Sequence, residues 1–547
     1  MFIDSRSIGE ESVINTDVCI VGAGVSGLTL AREFKQAKFN TCIIESGGEK
    51  ADKATQALYW GENVGIPYYP LDTARARFLG GSSHYWVIEL PENGMGVRLR
   101  PMDPIDFEER EWVPYSGWPF KKEQLDPYYK RAQEVCQIGP NSYDPKDWIE
   151  PDRRNELPFH DDRVHTTIFQ FGFRDVFFKE YANEVKNAEN ITTLLHGNAI
   201  EIETNEAATE VIRIRVACLN GNHFSVTAKT YILAMGGLEV PRLLLLSNKT
   251  QKSGLGNEND LVGRFFMEHP HLWCGAFFPS SVGVSNSTGL YEVYSKNGTP
   301  VMGKITLSES TLRKEKLLNW VTSVHPEYEL SYKKYLGFYE PGVLACRAIK
   351  NDLLKNHSLI NMKDHVYKAL SDTNAIFRFI YRKTKSHYKR DFNRAEHITV
   401  YRLNPMVEQA PNPESCVFLG TEKDALGQFR INLNWQLTPL DTYTITRAQE
   451  ILDEELRKAG LGHLLIETKK DIVPKGIHGG WHHMGTTRMH ADPKKGVVDP
   501  TCRVHGISNL YIGGASVFPT SGYANPVLTT IALVLRLADH VRKTMDA

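Results

Sequence analysis

The chain lacks close cysteine spacing. Its eight cysteines stand at 19, 42, 136, 218, 274, 346, 416 and 502, with no C-x-x-C pair. Such scatter argues against a disulfide framework, a zinc ribbon or an iron–sulfur site. It also lacks an excess of either charge: 64 basic residues face 65 acidic ones, a net of −1. No global field then favours nucleic acid or an anionic membrane as partner. Long apolar runs are missing too, since VCIVGAGVSGLTLA at 18–31 is short and broken by glycine. No integral membrane segment is expected. The first residues, MFIDSRSIGEESVINTD, have early acids and no apolar core, unlike a secretory signal. A soluble protein of a reducing compartment, hence cytoplasmic, is the expectation. No internal repeat or low-complexity tract interrupts it.

What is present suits a globular enzyme-sized chain. The 547 residues, 41% hydrophobic and 24% charged, can bury a large core in two domains or one composite body. Residues 16–45 read as strand, glycine turn, helix and second strand ending on Glu45. A second strand–turn–helix occurs at 231–247, YILAMGGLEVPRLLLLS, with a strand as apolar as buried parallel strands are. The middle alternates partly at 397–409, 416–420 and 429–435, as antiparallel strands with one exposed face do. Residues 442–459 form a helical pattern stopped by Gly460. A strand and helix return in 505–547. The expected class is α/β: a nucleotide-binding domain built from separated segments, with an inserted substrate domain.

Gly22, Gly24 and Gly27 form G-x-G-x-x-G between a strand and a helix. The first permits a tight turn, the second lets a pyrophosphate approach the backbone, and the third allows close helix–strand packing. Glu45, at the end of the next strand, is placed to accept from ribose hydroxyls. The loop RARFLGGSSHYW at 75–86 adds Arg77, Gly81, Ser82 and Ser83 as candidate cofactor contacts, its amides and hydroxyls suiting a pyrophosphate. The glycine motif alone does not separate NAD(P) from FAD. Near the C-terminus, GGWHHMGTTRMHADP at 479–493 sets His482 beside His483, with His490 further on. A metal site, a catalytic base and buried polar residues are all compatible with that stretch alone.

These blocks resemble the glucose–methanol–choline (GMC) family of FAD-dependent alcohol oxidoreductases. The matching pieces include VGAGVSGLTLA…IIESGG, FLGGSSHYW, DFEEREWVPYSGWPF, GLGNENDLVGRFFMEHP, EQAPNPESCVFL and the tail HHMGTTRMHADP…GGASVFPTSGYANPVLTTIAL. The tail looks most like the pyranose-oxidase-like bacterial branch. The resemblance implies a Rossmann-type FAD-binding domain in the segments 1–90, 190–275 and 478–547. A mixed connecting, lid and substrate-domain segment at 91–189 and an α+β substrate domain with an antiparallel sheet at 276–477 complete it. It implies Gly236 and Gly237 near the adenosine half, the backbone near Ala199 at the adenine, and Gly514, Ala515 and Pro526 along the cofactor.

The family's catalytic pair maps to His482 and Asn525: a neutral imidazole suits a base, and an amide N–H can hold a developing alkoxide. Beside a flavin no metal is needed, so His483 and His490 fall back to structural roles. His269, in the block FFMEHP, is likewise read as a structural histidine. Glu408 and Gln409 match the strand end where family members contact substrate. Tyr85 stands where some relatives carry the histidine that attaches FAD covalently, with His84 one place earlier, so non-covalent FAD is expected. Val87 offers no side-chain hydrogen bond to the flavin.

The implied activity is oxidation of an alcohol of a sugar, glycoside or polyol, with oxygen, a quinone or a partner protein as electron acceptor. Three alternatives stay open: a catalytic subunit oxidising a non-sugar alcohol for a partner chain, a non-catalytic flavin-fold binding protein, and an NAD(P) enzyme. Assembly as an oligomer is also open. The basic-aromatic stretch 377–394, FRFIYRKTKSHYKRDFNR, is compatible with a solvated face or with an acidic or membrane-surface partner. No RNA-binding module accompanies it.

Overall fold

Apolar runs with no alternation must be covered on both faces, and the strands Val18–Val21 and Thr41–Ile44 are buried at every position. In the computed structural model, which describes residues 1–91, 94–151, 153–327 and 400–546 with isolated positions between 328 and 399, they pair in parallel. They form the centre of a six-stranded sheet. Its order is Phe2–Asp4, Ile191–Leu195, Thr41–Ile44, Val18–Val21, Thr230–Leu233 and Leu510–Ile512, parallel throughout. Stretches far apart in the chain thus meet in one sheet. Helices Val25–Phe34, Gly236–Leu246 and Val527–Asp546 contribute apolar side chains to the core around it.

The second large sheet is antiparallel. Its path runs Gly462–Leu465, Ala276–Pro279, Tyr401–Val407, Trp320–Pro326, Thr299–Leu307, Val164–Phe173, Gly94–Leu99 and Ile88–Leu90. The strand Tyr401–Val407, expected to expose one face, is buried on both. Leu403 and Val407 join a core with Ile445 and Leu452 of the helix Pro439–Lys458, while Met406, on the opposite face, joins the core of the parallel sheet. The strands Cys416–Lys423 and Phe429–Asn434 pair instead in a small separate sheet with Glu62–Asn63.

The helix Pro439–Lys458 begins a turn before the sequence pattern at 442. Pro439 needs no amide partner in a first turn, and the Asp441 carboxylate accepts from the Thr438 N–H (2.6 Å) and hydroxyl (2.7 Å). Beyond its C-terminus Gly460 takes φ 66°, a left-handed conformation that glycine adopts without strain. Among the described residues no helix is long and apolar enough to cross a membrane. The stretch 377–394 lies outside the described residues.

Candidate active site

A cavity of about 850 Å³ runs from the parallel sheet's glycine turn to the antiparallel sheet. At the turn Gly22 takes φ 100°. A Cβ on Gly27 would lie 1.9 Å from the Gly22 carbonyl oxygen, so only glycine lets the helix Val25–Phe34 close on the strand. A Cβ on Gly81 would come 3.0 Å from the Gly24 Cα, so the two glycine loops abut, and both line the cavity. Glu45 spans the turn. Its carboxylate accepts from the amides of Ala23 and Gly47, both at 2.8 Å. Burial raises the Glu45 pKa, opposed by those amides and by Arg77.

The loop 75–86 is anchored by charge. Glu239 accepts from Arg75 (2.8 Å) and Arg77 (3.0 Å) and pairs with Arg242 (3.3 Å), which also binds Asp424 at 2.6 Å. Burial alone would raise the Glu239 carboxyl, but Arg242, Arg75 and Arg77 hold it far below the usual range. Ser83 donates to the Gly80 carbonyl at 2.7 Å, so its hydroxyl braces the loop. Ser82, Ala199, Gly236, Gly514, Ala515 and Pro526 line the same cavity. A Cβ on Gly236 would meet nothing within 4 Å, so the backbone there is open to a ligand. His84 lies between Phe78 and Phe178, ring centroids 4.2 and 3.9 Å away, with Nε2 on the Leu79 carbonyl.

At the far end the histidines form a directed chain. His269 Nε2 lies 3.3 Å from the Ser521 carbonyl oxygen, which only accepts, so Nε2 carries the proton. Neutral His269 then accepts at Nδ1, 2.8 Å from His482 Nδ1, which must donate. His482 Nε2 is left with its lone pair, facing the Asn525 amide at 2.9 Å. Burial, then the neighbouring His269 and Arg98, hold His482 well below the usual histidine range. His269 falls to about 4 for the same first reason. Burial thus favours the neutral imidazole at both histidines. His483 instead bonds the Tyr68 hydroxyl at 3.0 Å, and His490 lies outside the cavity. Among the described residues no group of three or more metal-ligating side chains could hold a metal.

Two readings are corrected. Glu408 and Gln409 do not contact the cavity; both are fully buried. Glu408 is gripped by Arg110 and accepts from the Asn319 amide at 2.9 Å. Gln409 accepts from Trp435 Nε1 and from the Glu268 amide, each at 2.9 Å. The strand before them is buried on both faces, so its end is packed rather than presented to a ligand. His269 is fully buried, does not line the cavity and bonds His482 at Nδ1. Residues missed by the sequence reading include His271, His325, Trp273 and Asn404, which line the cavity from the antiparallel sheet and its flanks. His325 and Asn404 lie on strands whose register the sequence does not disclose, and His271 and Trp273 lie on the irregular segment before the strand Ala276–Pro279.

A glycine-cradled cavity with a neutral histidine at its far end defines the class: a dinucleotide-dependent oxidoreductase. The GMC oxidoreductase family profile matches residues 411–533. The 6'''-hydroxyparomomycin C oxidase of Streptomyces lividus is 30% identical, covering 97% of this chain and 92% of that protein. The fructose dehydrogenase large subunit of Gluconobacter japonicus is 23% identical over 96% of this chain and 98% of its own. The crystal structure of a formate oxidase shares the fold, with a TM-score of 0.54 and 17% identity over 98% of this chain and 100% of that one. The chain belongs to the GMC oxidoreductase family, and is an FAD-dependent enzyme that oxidises alcohols.

Proposed function

We propose that the chain oxidises an alcohol of a sugar, glycoside or polyol to a carbonyl, with His482 as base and non-covalently bound FAD. The carrying observation is the hydrogen-bond chain Ser521–His269–His482–Asn525, which leaves an unprotonated Nε2 at the cavity wall. When bound, FAD supplies the two-electron acceptor that takes the hydride. Gly22, Gly24, Gly81, Gly236 and Gly514 would hold it by their backbones, with Glu45 at the ribose and Pro526 alongside. The substrate hydroxyl displaces the Asn525 N–H from the His482 Nε2 lone pair, Nε2 takes its proton, and the freed amide N–H holds the oxygen as charge develops there. Non-covalent attachment is supported by His84, whose ring is sandwiched outside the cavity.

The substrate end of the wall combines the faces of Trp273 and Trp481 with the polar groups of Asn404, His325 and Arg98, a mixture suited to a polyhydroxylated ring. The names of the two relatives, a fructose dehydrogenase and an oxidase of a hydroxyparomomycin, support the same class. The parallel sheet with the segments 1–90, 190–275 and 478–547 would be the FAD domain, and 276–477 the substrate domain. Oxygen, a quinone or a partner protein would reoxidise the enzyme. Anaerobic bleaching of the flavin by sugars, glycosides, polyols and simple diols tests the reading. At least one sugar or polyol is expected to bleach it, and His482→Ala to slow that step by about 10²–10⁴-fold with FAD retained. Full speed in the His482 variant would refute the base.

A further inference from the structure

Glu268 is fully buried, and among the described residues no lysine or arginine forms an ion pair with it. Four donors surround its carboxyl instead. Oε1 accepts from the Tyr68 hydroxyl and from the His482 N–H at 2.9 Å. Oε2 accepts from the His269 N–H at 3.0 Å and the Gly480 N–H at 2.9 Å. A proton on either oxygen would confront one of these donors, so the arrangement fits the carboxylate. The nearest titratable nitrogen is His483 Nε2 at 4.0 Å.

The backbone it collects is one that would not hold itself. Trp481 takes φ 62°, the left-handed region that a bulky side chain disfavours, and this turns the amides of Gly480 and His482 towards one point. Both glycines before it are required. A Cβ on Gly479 would lie 2.6 Å from the Glu268 carboxyl carbon, and one on Gly480 would lie 2.7 Å from His482 Nδ1. The carboxylate and the imidazole press on the turn from two sides.

We propose that Glu268 is the positioning residue of the histidine pair. Its carboxylate fixes the backbones of His269 and His482 together, so that their rings meet Nδ1 to Nδ1, and its charge opposes the positive charge formed when His482 takes a proton. Glu268 itself makes no bond to substrate and takes no proton from it. The inference rests on His482 being the base. Burial pushes the Glu268 carboxyl up to about 7, against the Tyr68 hydroxyl and the three amides, which pull it down. The groups facing it are Tyr68, His269, His482 and His483, all neutral near pH 7, with the Arg75 charge felt at Tyr68 and His483. Above pH 7 the hub is charged; below, it is protonated and one donor loses its acceptor.

The test uses flavin-loaded Glu268→Gln and Tyr68→Phe enzymes, with FAD content and melting temperature as fold controls. D-fructose is the first reducing probe, followed by the sugar panel, across pH 6–8.5. The wild-type bleaching rate should fall as pH drops through about 7. In Glu268→Gln it should be about 10–100-fold lower at pH 8 and flat across that range. In Tyr68→Phe the limb should move to higher pH, since a donor that stabilised the charge is gone. A limb unmoved in both variants would overturn the proposal. Independently of turnover, ¹⁵N-histidine spectra should show His482 protonated at Nδ1 in the wild type and a tautomer mixture in Glu268→Gln. An unchanged tautomer overturns the positioning role. Full bleaching by His482→Ala would instead sink only the base assignment beneath it.

Discussion

Asn525 shows how one atom sets the direction of proton flow. Its amide can donate to His482 Nε2 only because the chain from Ser521 leaves that nitrogen bare. Asn525→Asp keeps the shape but replaces the donor with an acceptor. The carboxylate should then favour His482 protonated at Nε2, blocking the base. Stopped-flow bleaching is expected to slow by about 10²–10³-fold at pH 7. The loss should lessen as pH rises, because a nearby negative charge raises the imidazole pKa and higher pH then removes that proton. A pH-independent loss would point to lost geometry alone. His482 and Asn525 were legible as motif positions. The histidine facing His482 was not: His269 lies 213 residues from it, and the pairing of Met267 with Met484 and of His271 with His478 brings the two segments together. Glu268 was invisible for the same reason, since three of its four donors come from residues 68, 480 and 482.

At the scale of elements, the loop 75–86 and the helix Gly236–Leu246 are clamped by Glu239 through three guanidinium groups. With Asp424 included, three cations face two carboxylates in a buried site beside the cavity. Removing the Glu239 charge while keeping its shape, Glu239→Gln, strands the arginines. A loss of about 3–5 kcal/mol is expected, the scale for breaking a buried pair. FAD should dissociate more readily, since Arg77 and Glu239 both line the cavity. Denaturant midpoints and flavin fluorescence after dilution check the two effects. Local signals served well here: strand, glycine turn and helix at 16–45 follow from residues that are neighbours in sequence. The start of the helix Pro439–Lys458 was legible in principle too, through Thr438, Pro439 and Asp441, although the apolar periodicity begins only later.

For the whole molecule, the difference between what could and could not be foreseen follows sequence separation. The parallel strands announce themselves by continuous apolar runs, whichever partner they find. The antiparallel sheet does not, because its alternation is hidden wherever both faces are covered, as at Tyr401–Val407. Glu408, assigned to substrate because it matches the strand end where family members contact it, instead follows the strand into a buried pair with Arg110. The two assignments predict opposite behaviour of one variant. If Glu408 held a sugar hydroxyl, Glu408→Gln would raise KM and leave stability alone. In the observed packing, Glu408→Gln leaves the Arg110 guanidinium uncompensated at full burial. It should cost about 3–5 kcal/mol of stability. KM for any bleaching sugar should change less than about twofold, because the side chain does not reach the cavity. Thermal unfolding and steady-state kinetics on the same preparation decide between them, and a KM shift at unchanged stability would return Glu408 to the substrate site.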